Sequence, residues 1–170
     1  MKIFYGINKV KGLANSVVAI GVFDGIHRGH RRVLKAAVKK AIAVGSKSVV
    51  LTFWPHPQRE KILYSLEHRL RLMADLGINV CIVARLNNRI SSMSPKDFIS
   101  DVLCKRIRAG YVYVGKDFKF GRGAGGNFSL LKKLGVEYGL KARGFDIVKS
   151  LNRPISSTLI RGLIAYGDIK

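Results

Sequence analysis

Short apolar runs rich in β-branched residues alternate with segments of helical periodicity from one end of the chain to the other. The apolar runs are almost continuous, which is typical of strands covered on both faces of a sheet. This alternation predicts an α/β fold with a doubly wound parallel sheet. The predicted strands are 16–23, 47–53, 78–84, 111–115 and 141–150, and the predicted helices are 28–44, 66–76, one from Ser94 to near Gly110, 127–133, and one from Ile155 onwards.

Ligands of such sheets bind beyond the carboxyl ends of the strands. We therefore expect the functional residues in the loops that follow Phe23, Phe53, Gly115 and Ser150. The chain has no internal repeat, low-complexity tract or linker, and its 170 residues suffice for one buried core. A single domain over residues 1–170 is predicted.

The chain is strongly basic, with 31 Lys and Arg against 10 Asp and Glu and a formal charge of +21. Such a charge attracts polyphosphate nucleotides and, without sequence specificity, nucleic acid. The basic residues are dispersed, so nucleic-acid binding is expected to be at most non-specific. No apolar run approaches the roughly 20 residues that span a bilayer, and the start shows no signal-peptide plan. The sequence therefore predicts a cytoplasmic protein with no membrane partner.

The two cysteines, Cys81 and Cys104, have no spacing typical of a metal or redox site. Both are predicted to be buried thiols.

The segment from Gly21 to His30, GVFDGIHRGH, is the most specific feature of the sequence. A glycine turn leads from a strand into a helix whose start carries His27 and His30 on one side of the first turn. Helix-start N–H groups favour a phosphate there, and Gly29 allows a triphosphate to lie close to the backbone. The imidazoles can donate hydrogen bonds to charge that develops during phosphoryl transfer. Asp24 is predicted to brace the turn.

The segment has two other interpretations. An exposed histidine pair at a helix start would have no function, and a metal site would need a third ligand that the neighbouring sequence does not offer. The phosphate interpretation is preferred, because glycines, histidines and a strand exit coincide within ten residues.

This H-x-G-H after a G-x-F-D strand exit resembles the signature of nucleotidylyltransferases, and no G-K-[ST] of a Walker A loop follows it. Three further segments resemble those of bacterial FAD synthetases. They are TFWPHP at 52–57, GKDFKFG at 115–121 with GGN at 125–127, and ISSTLIR at 155–161. The resemblance runs from about residue 16 to residue 170 and is to the FMN adenylyltransferase module of the bifunctional enzymes. It implies a Rossmann-like HxGH fold.

The resemblance implies that ATP and FMN are the substrates and that FAD and pyrophosphate are the products. Mg²⁺ would arrive with ATP, bound mainly by phosphate oxygens and water, and no residue is assigned as its ligand. The implied catalytic residues are His27, His30 and Arg161; the implied ATP-binding residues are Gly21, Phe23, Asp24, Gly29, Ser156, Ser157 and Thr158; the implied flavin-binding residues are Phe53, Pro55, His56, Pro57, Asp117, Phe118, Phe120 and Asn127.

Three of these residues have a second interpretation. Phe53 could equally be a core residue, and Asn127 could be the N-cap of a helix as well as a flavin contact. Arg161 lies on the same helical face as Ser157 and Thr158, so its guanidinium can clamp the leaving pyrophosphate. The alternative for Arg161 is a solvated side chain on an ordinary capped helix.

The sequence departs from the family pattern in three places. The bifunctional family continues past the ISSTLIR helix into a riboflavin kinase domain, which this sequence is expected to lack. It is then either a stand-alone synthetase, with riboflavin kinase in a separate chain, or a truncated piece of a longer protein. Leu86-Asn87-Asn88 stands where the family usually has an aromatic–acidic pair, which weakens the acceptor assignment. Val22 is apolar where relatives outside the flavin branch carry Thr or Asn, so a phosphate there would use backbone N–H groups.

Two rival functions remain open. One is a nucleotidylyltransferase acting on another acceptor, such as phosphopantetheine, nicotinamide mononucleotide or a cytidylyl acceptor. The other is an inactive, basic nucleic-acid-binding protein on the same fold.

Overall fold

A computed structural model describes residues 1–55, 61–85, 87–150 and 153–167. Its main sheet has six strands in the order β1-β4-β3-β2-β5-β8, and every neighbouring pair is parallel. This confirms the predicted α/β fold with a doubly wound parallel sheet. The strands are β1 (Lys2–Tyr5), β2 (Ser16–Ile20), β3 (Ser48–Phe53), β4 (Val80–Ala84), β5 (Ala109–Gly115) and β8 (Lys141–Phe145).

Two short hairpins accompany the sheet. They are β6 (Lys119–Phe120) with β7 (Gly126–Asn127), and β9 (Lys149–Ser150) with β10 (Arg153–Pro154). The helices are α1 (Arg28–Ala43), α2 (Leu66–Asp75), α3 (Asn88–Ser91), α4 (Pro95–Asp97), α5 (Phe128–Glu137) and α6 (Ser157–Ala165). A π-helix over Phe98–Arg106 continues directly from α4.

The central strands bury both faces, so alternate residues of one strand enter different cores. Val17 and Ala19 of β2 pack with α1 and α2, while Val18 and Ile20 pack with the π-helix and α5. α1 presents Val33, Leu34, Ala37 and Ala41 to its core, a spacing that keeps one helical face apolar. This two-sided burial explains why the strands read as continuous apolar runs.

Several boundaries differ from the sequence prediction. The strand predicted over 16–23 ends at Ile20, because the chain turns at Gly21 and Phe23 adopts a left-handed conformation with φ 54°. The segment predicted as one strand over 141–150 divides into β8 and β9. β1 was not predicted at all, and neither was the β6–β7 hairpin. All are short elements whose pairing partner, rather than their own periodicity, defines them.

The strand order places the point of reversal between β2 and β5. From β2 the sheet extends through β3 and β4 on one side and through β5 and β8 on the other. The loops that leave the two strands diverge there and open a crevice at the carboxyl edge. The predicted glycine–histidine segment and the loop after Gly115 both start at this crevice. Among the described residues, no helix has the length and apolarity needed to cross a membrane.

Candidate functional site

A cavity of about 330 Å³ lies in this crevice, between the exits of β2, β5 and β8 and the starts of α1 and α6. It brings together segments that are far apart in the sequence. All the residues predicted for catalysis and ATP binding line it, and so do two of those predicted for flavin binding: His27, His30, Arg161, Gly21, Phe23, Asp24, Gly29, Ser156, Ser157, Thr158, Asp117 and Phe118.

The turn after β2 is built around Phe23, which is 3% exposed. Its ring lies against Gly21, where an added Cβ would come within 3.1 Å of a ring carbon. The same ring meets His30 edge-on, with centroids 5.3 Å apart. A side chain at position 21 would therefore press on a buried ring that also supports one of the two histidines.

His27 and His30 form a stacked pair at the start of α1. Their ring centroids are 3.6 Å apart and the planes differ by 22°. His27 is the N-cap residue, and its Nδ1 accepts a hydrogen bond of 3.4 Å from the backbone N–H of His30. Nδ1 of His30 is buried and has no hydrogen-bond partner among the described residues. The predicted placement of both imidazoles on one side of the first helical turn is confirmed, and they are not a freely exposed pair.

Burial controls the charge of both imidazoles. It lowers the pKa of His27 below 6.5, against the opposing charges of Asp117 and Asp24. Burial, and then the neighbouring His27, lower the pKa of His30 to about 3. Both rings are therefore neutral at pH 7. Because Nδ1 of His27 accepts a hydrogen bond, the proton of its neutral ring lies on Nε2, which makes that atom a donor.

Asp24 is the structural centre of the turn, with 2% of its surface exposed. Its carboxylate accepts hydrogen bonds from the backbone N–H groups of Leu63, at 3.0 and 3.1 Å, and Tyr64, at 3.2 Å. It also forms an ion pair of 3.1 Å with Nη1 of Arg161. The hydroxyl of Ser157 donates to the backbone carbonyl of Asp24 at 2.7 Å. The predicted bracing role of Asp24 is confirmed, and it extends to α6.

The start of α6 presents hydroxyl groups and a guanidinium to the cavity. Ser156 is the N-cap, and its hydroxyl accepts from the N–H of Leu159 at 3.1 Å. Nη2 of Arg161 donates to the hydroxyl of Thr158 at 3.1 Å, which confirms that the two share a helical face. The Arg161 side chain is only 16% exposed. The alternative interpretation of Arg161 as a solvated side chain is therefore wrong.

A second cavity, of about 540 Å³, adjoins the first. It lies between β3, α3, the π-helix and the loop that includes the β6–β7 hairpin. Phe118 and Phe120 stack nearly parallel in its wall, with centroids 5.5 Å apart. Four residues line both cavities: Gly21, Val22, Asp117 and Phe118. A molecule in one cavity can therefore reach a molecule in the other across the exits of β2 and β5.

Only some of the residues predicted for flavin binding line the second cavity. Phe53 lines the second cavity while also belonging to a core cluster, so its core interpretation is confirmed and its flavin contact stays a prediction. Asp117, Phe118 and Phe120 line the cavity as well, and Pro55 is exposed outside it. His56 and Pro57 lie outside the described residues.

Asn127 is not in the cavity wall. It is the N-cap of α5, with Oδ1 accepting from the N–H of Leu130 at 2.9 Å. The capping interpretation of Asn127 is confirmed, and its flavin contact stays a prediction.

Several cavity residues were not singled out from the sequence. Ile90, Ser91 and Phe98 line the second cavity, and Ile147 and Val148 line the first. Apolar residues of this kind have the same sequence pattern as core residues, so no local signal separates them. Ile147 and Val148 fall within the strand predicted over 141–150, so the expectation that functional residues follow the strands did not include them.

The sequence model of the FAD synthetase family matches residues 9–159 of the chain. The bifunctional riboflavin kinase/FMN adenylyltransferase of Escherichia coli strain K12 is 33% identical over 178 residues, which cover 99% of this chain and 57% of that protein. A relative in Geobacillus thermodenitrificans, which carries the same two activities in its name, is 36% identical over 164 residues, covering 92% of this chain and 86% of its own length. The chain thus spans 57% of the length of the first relative.

A solved structure of similar fold comes from Streptococcus pneumoniae and is titled a macrolide-efflux protein. It aligns with a TM-score of 0.85 at 24% identity, over 99% of this chain and 58% of that one. At this identity the similarity shows the fold alone.

Proposed function

Since the chain belongs to the FAD synthetase family, we propose that it is a cytoplasmic FMN adenylyltransferase, which transfers the AMP moiety of ATP to FMN and releases pyrophosphate. The observation that carries the proposal is the pair of adjoining cavities. One is lined by the stacked histidines and the start of α6, the other by aromatic rings, and they share Gly21, Val22, Asp117 and Phe118. Joining two nucleotides requires two such sites that meet at the reacting phosphates.

ATP occupies the first cavity in this proposal. Its phosphates lie at the start of α1, where the helix dipole and free N–H groups favour an anion. Gly29 keeps that position open, because an added Cβ would come 3.2 Å from the His27 ring. Arg161 and the hydroxyls of Ser157 and Thr158 converge from the start of α6 on the same space. They bind the β- and γ-phosphates.

FMN occupies the second cavity. A flat, largely apolar ring system suits a site of about 540 Å³ walled by Phe53, Phe98 and the stacked Phe118 and Phe120. The FMN phosphate then reaches the shared edge near Val22. Catalytic contact between the two substrates is thus confined to the carboxyl edge of β2 and β5.

The reaction is an in-line displacement. An oxygen of the FMN phosphate forms a bond to the α-phosphorus of ATP, and the bond from that phosphorus to the α–β bridging oxygen breaks. A phosphate monoester loses its second proton at about pH 6, so the attacking oxygen is ionised at neutral pH and needs no general base. Catalysis rests on positioning and on stabilising the charge of the transferred group.

The neutral histidines suit this task. Nε2 of His27 is a donor, and it can donate to an α-phosphate oxygen as negative charge increases there. His30 supports it through the ring stack at 3.6 Å. Arg161 stabilises the charge on the departing pyrophosphate, because a guanidinium donates to two phosphate oxygens at once.

Mg²⁺ enters as part of the substrate, Mg·ATP. The described part of the chain holds no group of three or more His, Cys, Asp or Glu side chains that could cage a metal ion. Of the carboxylates on the first cavity, Asp24 is paired with Arg161 and Asp146 with Lys116, while Asp117 is exposed. This donor set fits a magnesium ion that keeps phosphate and water ligands.

The proposal is tested by incubating the protein with Mg·ATP and FMN, and separately with Mg·ATP and riboflavin, and following FAD, FMN and pyrophosphate by chromatography. We expect FAD and pyrophosphate in equal amounts from FMN. We expect no product from riboflavin, since the proposed transfer needs an acceptor phosphate and riboflavin carries none.

The His27→Ala/His30→Ala variant is expected to lower kcat by at least about 100-fold, in keeping with the loss of a transition-state donor. His68→Ala is the matched control, because His68 is an exposed histidine stacked on Tyr64 and lines neither cavity. If the wild-type protein binds ATP but forms no FAD, another phosphate acceptor is favoured. If the wild-type protein does not bind ATP, the inactive, nucleic-acid-binding alternative is favoured.

A further inference from the structure

Arg69 of α2 is the largest side chain that the described part of the structure buries completely, with 1% of its surface exposed. Its Nη1 donates a hydrogen bond of 2.7 Å to the backbone carbonyl of Val22. Its guanidinium carbon lies 5.2 Å from the centroid of the Trp54 ring. Nε and Nη2 are buried and have no hydrogen-bond partner among the described residues. Burying a guanidinium with so few hydrogen bonds costs free energy, so its burial at this position needs an explanation.

The Val22 carbonyl connects Arg69 to the candidate site. The hydroxyl of Thr52 donates to the same oxygen at 2.9 Å, so two donors hold one carbonyl. Val22 lines both cavities. The peptide unit is planar, so fixing this carbonyl also fixes the direction of the Phe23 N–H. The Phe23 N–H lies in the turn after β2, where the apolar side chain of Val22 offers no polar group to a phosphate.

Arg69 also changes the charge of the turn. Burial lowers the pKa of Arg69, and the charge of Asp24 opposes this effect. Asp24 is paired with Arg161 at 3.1 Å. Arg69, Arg161 and Asp24 together carry a formal charge of +1 beside the first cavity. In a poorly solvated region such a charge acts strongly on an anion.

We propose that Arg69 is a positioning residue for the polyphosphate of ATP. It holds the peptide between Val22 and Phe23 in the orientation that binds phosphate, through the hydrogen bond from its Nη1 to the Val22 carbonyl. This role rests on the proposed function, in which the first cavity takes ATP. Arg69 acts through Val22 and lines neither cavity itself.

The test compares Arg69→Met with Arg69→Lys, measuring the Kd of Mg·ATP by calorimetry and the KM of ATP and of FMN in the assay. Met keeps the apolar volume and removes the charge and the hydrogen-bond donors, whereas Lys keeps the charge and a donor for the Val22 carbonyl. We expect Met to weaken ATP binding by at least about tenfold and Lys by no more than about threefold, with the KM of FMN within about threefold of wild type in both.

Met73→Ala is the matched control. Met73 lies one turn further along α2, is fully buried, and has its sulfur 4.0 Å from Cys81 Sγ. This variant is expected to unfold at a lower denaturant concentration and to bind ATP within about threefold of wild type. Equal loss of ATP affinity in Met73→Ala and Arg69→Met would overturn the proposal, since Arg69 would then serve only the core. Wild-type ATP affinity in Arg69→Met would overturn it as well.

If Arg69→Met does not fold, Thr52→Val decides, because it removes only the other donor to the Val22 carbonyl. A rise in the Kd of Mg·ATP of about threefold or more supports the proposal, and an unchanged Kd overturns it. Calorimetry of ATP binding needs no phosphate acceptor, so the role of Arg69 and the proposed function can be contradicted independently of each other. ATP affinity lost in Arg69→Met while wild type makes no FAD would contradict only the proposed function. FAD formation by wild type with unchanged ATP affinity in Arg69→Met would contradict only the role of Arg69.

Discussion

Nη1 of Arg161 lies 3.1 Å from a carboxylate oxygen of Asp24, and this ion pair joins the last helix to the exit of the first central strand. The two residues are 137 positions apart in the sequence. Asp24 also holds the backbone of Leu63 and Tyr64 ahead of α2. One buried carboxylate thus fixes three segments around the first cavity.

Asp24→Asn is expected to lower the free energy of unfolding by about 3 kcal/mol, because it leaves the guanidinium of Arg161 without its buried counter-charge. It should also weaken Mg·ATP binding, since the start of α6 loses its attachment to the turn. Urea denaturation and calorimetry measure the two effects. Asp101→Asn is the control: its ion pair with Lys105 is exposed and Asp101 lines neither cavity, so neither quantity should change appreciably. Equal behaviour of the two variants would contradict the central role of Asp24.

His30 is expected to make stability depend on pH. Its pKa is about 3 in the folded protein and 6.5 ordinarily, so between these values the unfolded chain binds more protons. The free energy of unfolding should therefore fall as pH decreases from about 6.5 towards 3, by up to about 1.4 kcal/mol per pH unit from this residue. His30→Asn should remove that part of the slope. Parallel urea-midpoint profiles for wild type and variant over this range would show that His30 is not buried as described.

Asn127 can be tested separately as a cap and as a flavin contact. Asn127→Ala is expected to cost about 1 kcal/mol of stability, because the N–H of Leu130 loses its acceptor. Asn127→Ser retains a capping oxygen and should keep most of that stability. If the amide also contacts flavin, both variants raise the KM of FMN by a similar factor and leave that of ATP unchanged. An FMN KM that stays at the wild-type value in Asn127→Ser would restrict this residue to capping.

The Cys81 thiol is expected to be inert in the folded protein. It is fully buried on β4, and burial raises its pKa to about 12. In a Cys104→Ala variant, a thiol reagent at pH 8 should label Cys81 only at the rate at which the protein unfolds. Labelling should therefore accelerate with urea. Rapid modification in native buffer, at a rate independent of urea, would contradict the described core.

Binding to nucleic acid is expected to be electrostatic only. The exposed face of α1 carries Arg28, Arg32, Lys35 and Lys39 and no acidic residue. Fluorescence anisotropy with duplex DNA should show affinity falling by at least about 100-fold between 50 and 200 mM salt, with DNA of unrelated sequence competing equally. Binding that persists at physiological salt with a sequence preference would instead support the nucleic-acid-binding alternative.

Local sequence was sufficient for the main elements of this fold. The β-branched runs of β2, β3 and β4 and the amphipathic pattern of α1 predict their own conformation, because strand and helix periodicities are set by neighbouring residues. The motif from Gly21 to His30 likewise predicted a strand exit, a glycine turn and a histidine pair, and the structure has all three. A local pattern therefore also identified the first cavity.

The tertiary structure decided what local patterns cannot encode. β1 is a strand because it pairs with β4, and Lys2 lies opposite Val80 in that pairing. Arg69 has an ordinary helical pattern, yet the packing of α2 buries its guanidinium against the carbonyl of Val22, 47 residues away. Such contacts depend on the order of the strands and the direction of the chain between them. Sequence alone thus determined the main elements and the residues that line the first cavity of the candidate site. The tertiary structure determined which distant groups hold those residues in place, because burial and long-range pairing arise only once the sheet has formed.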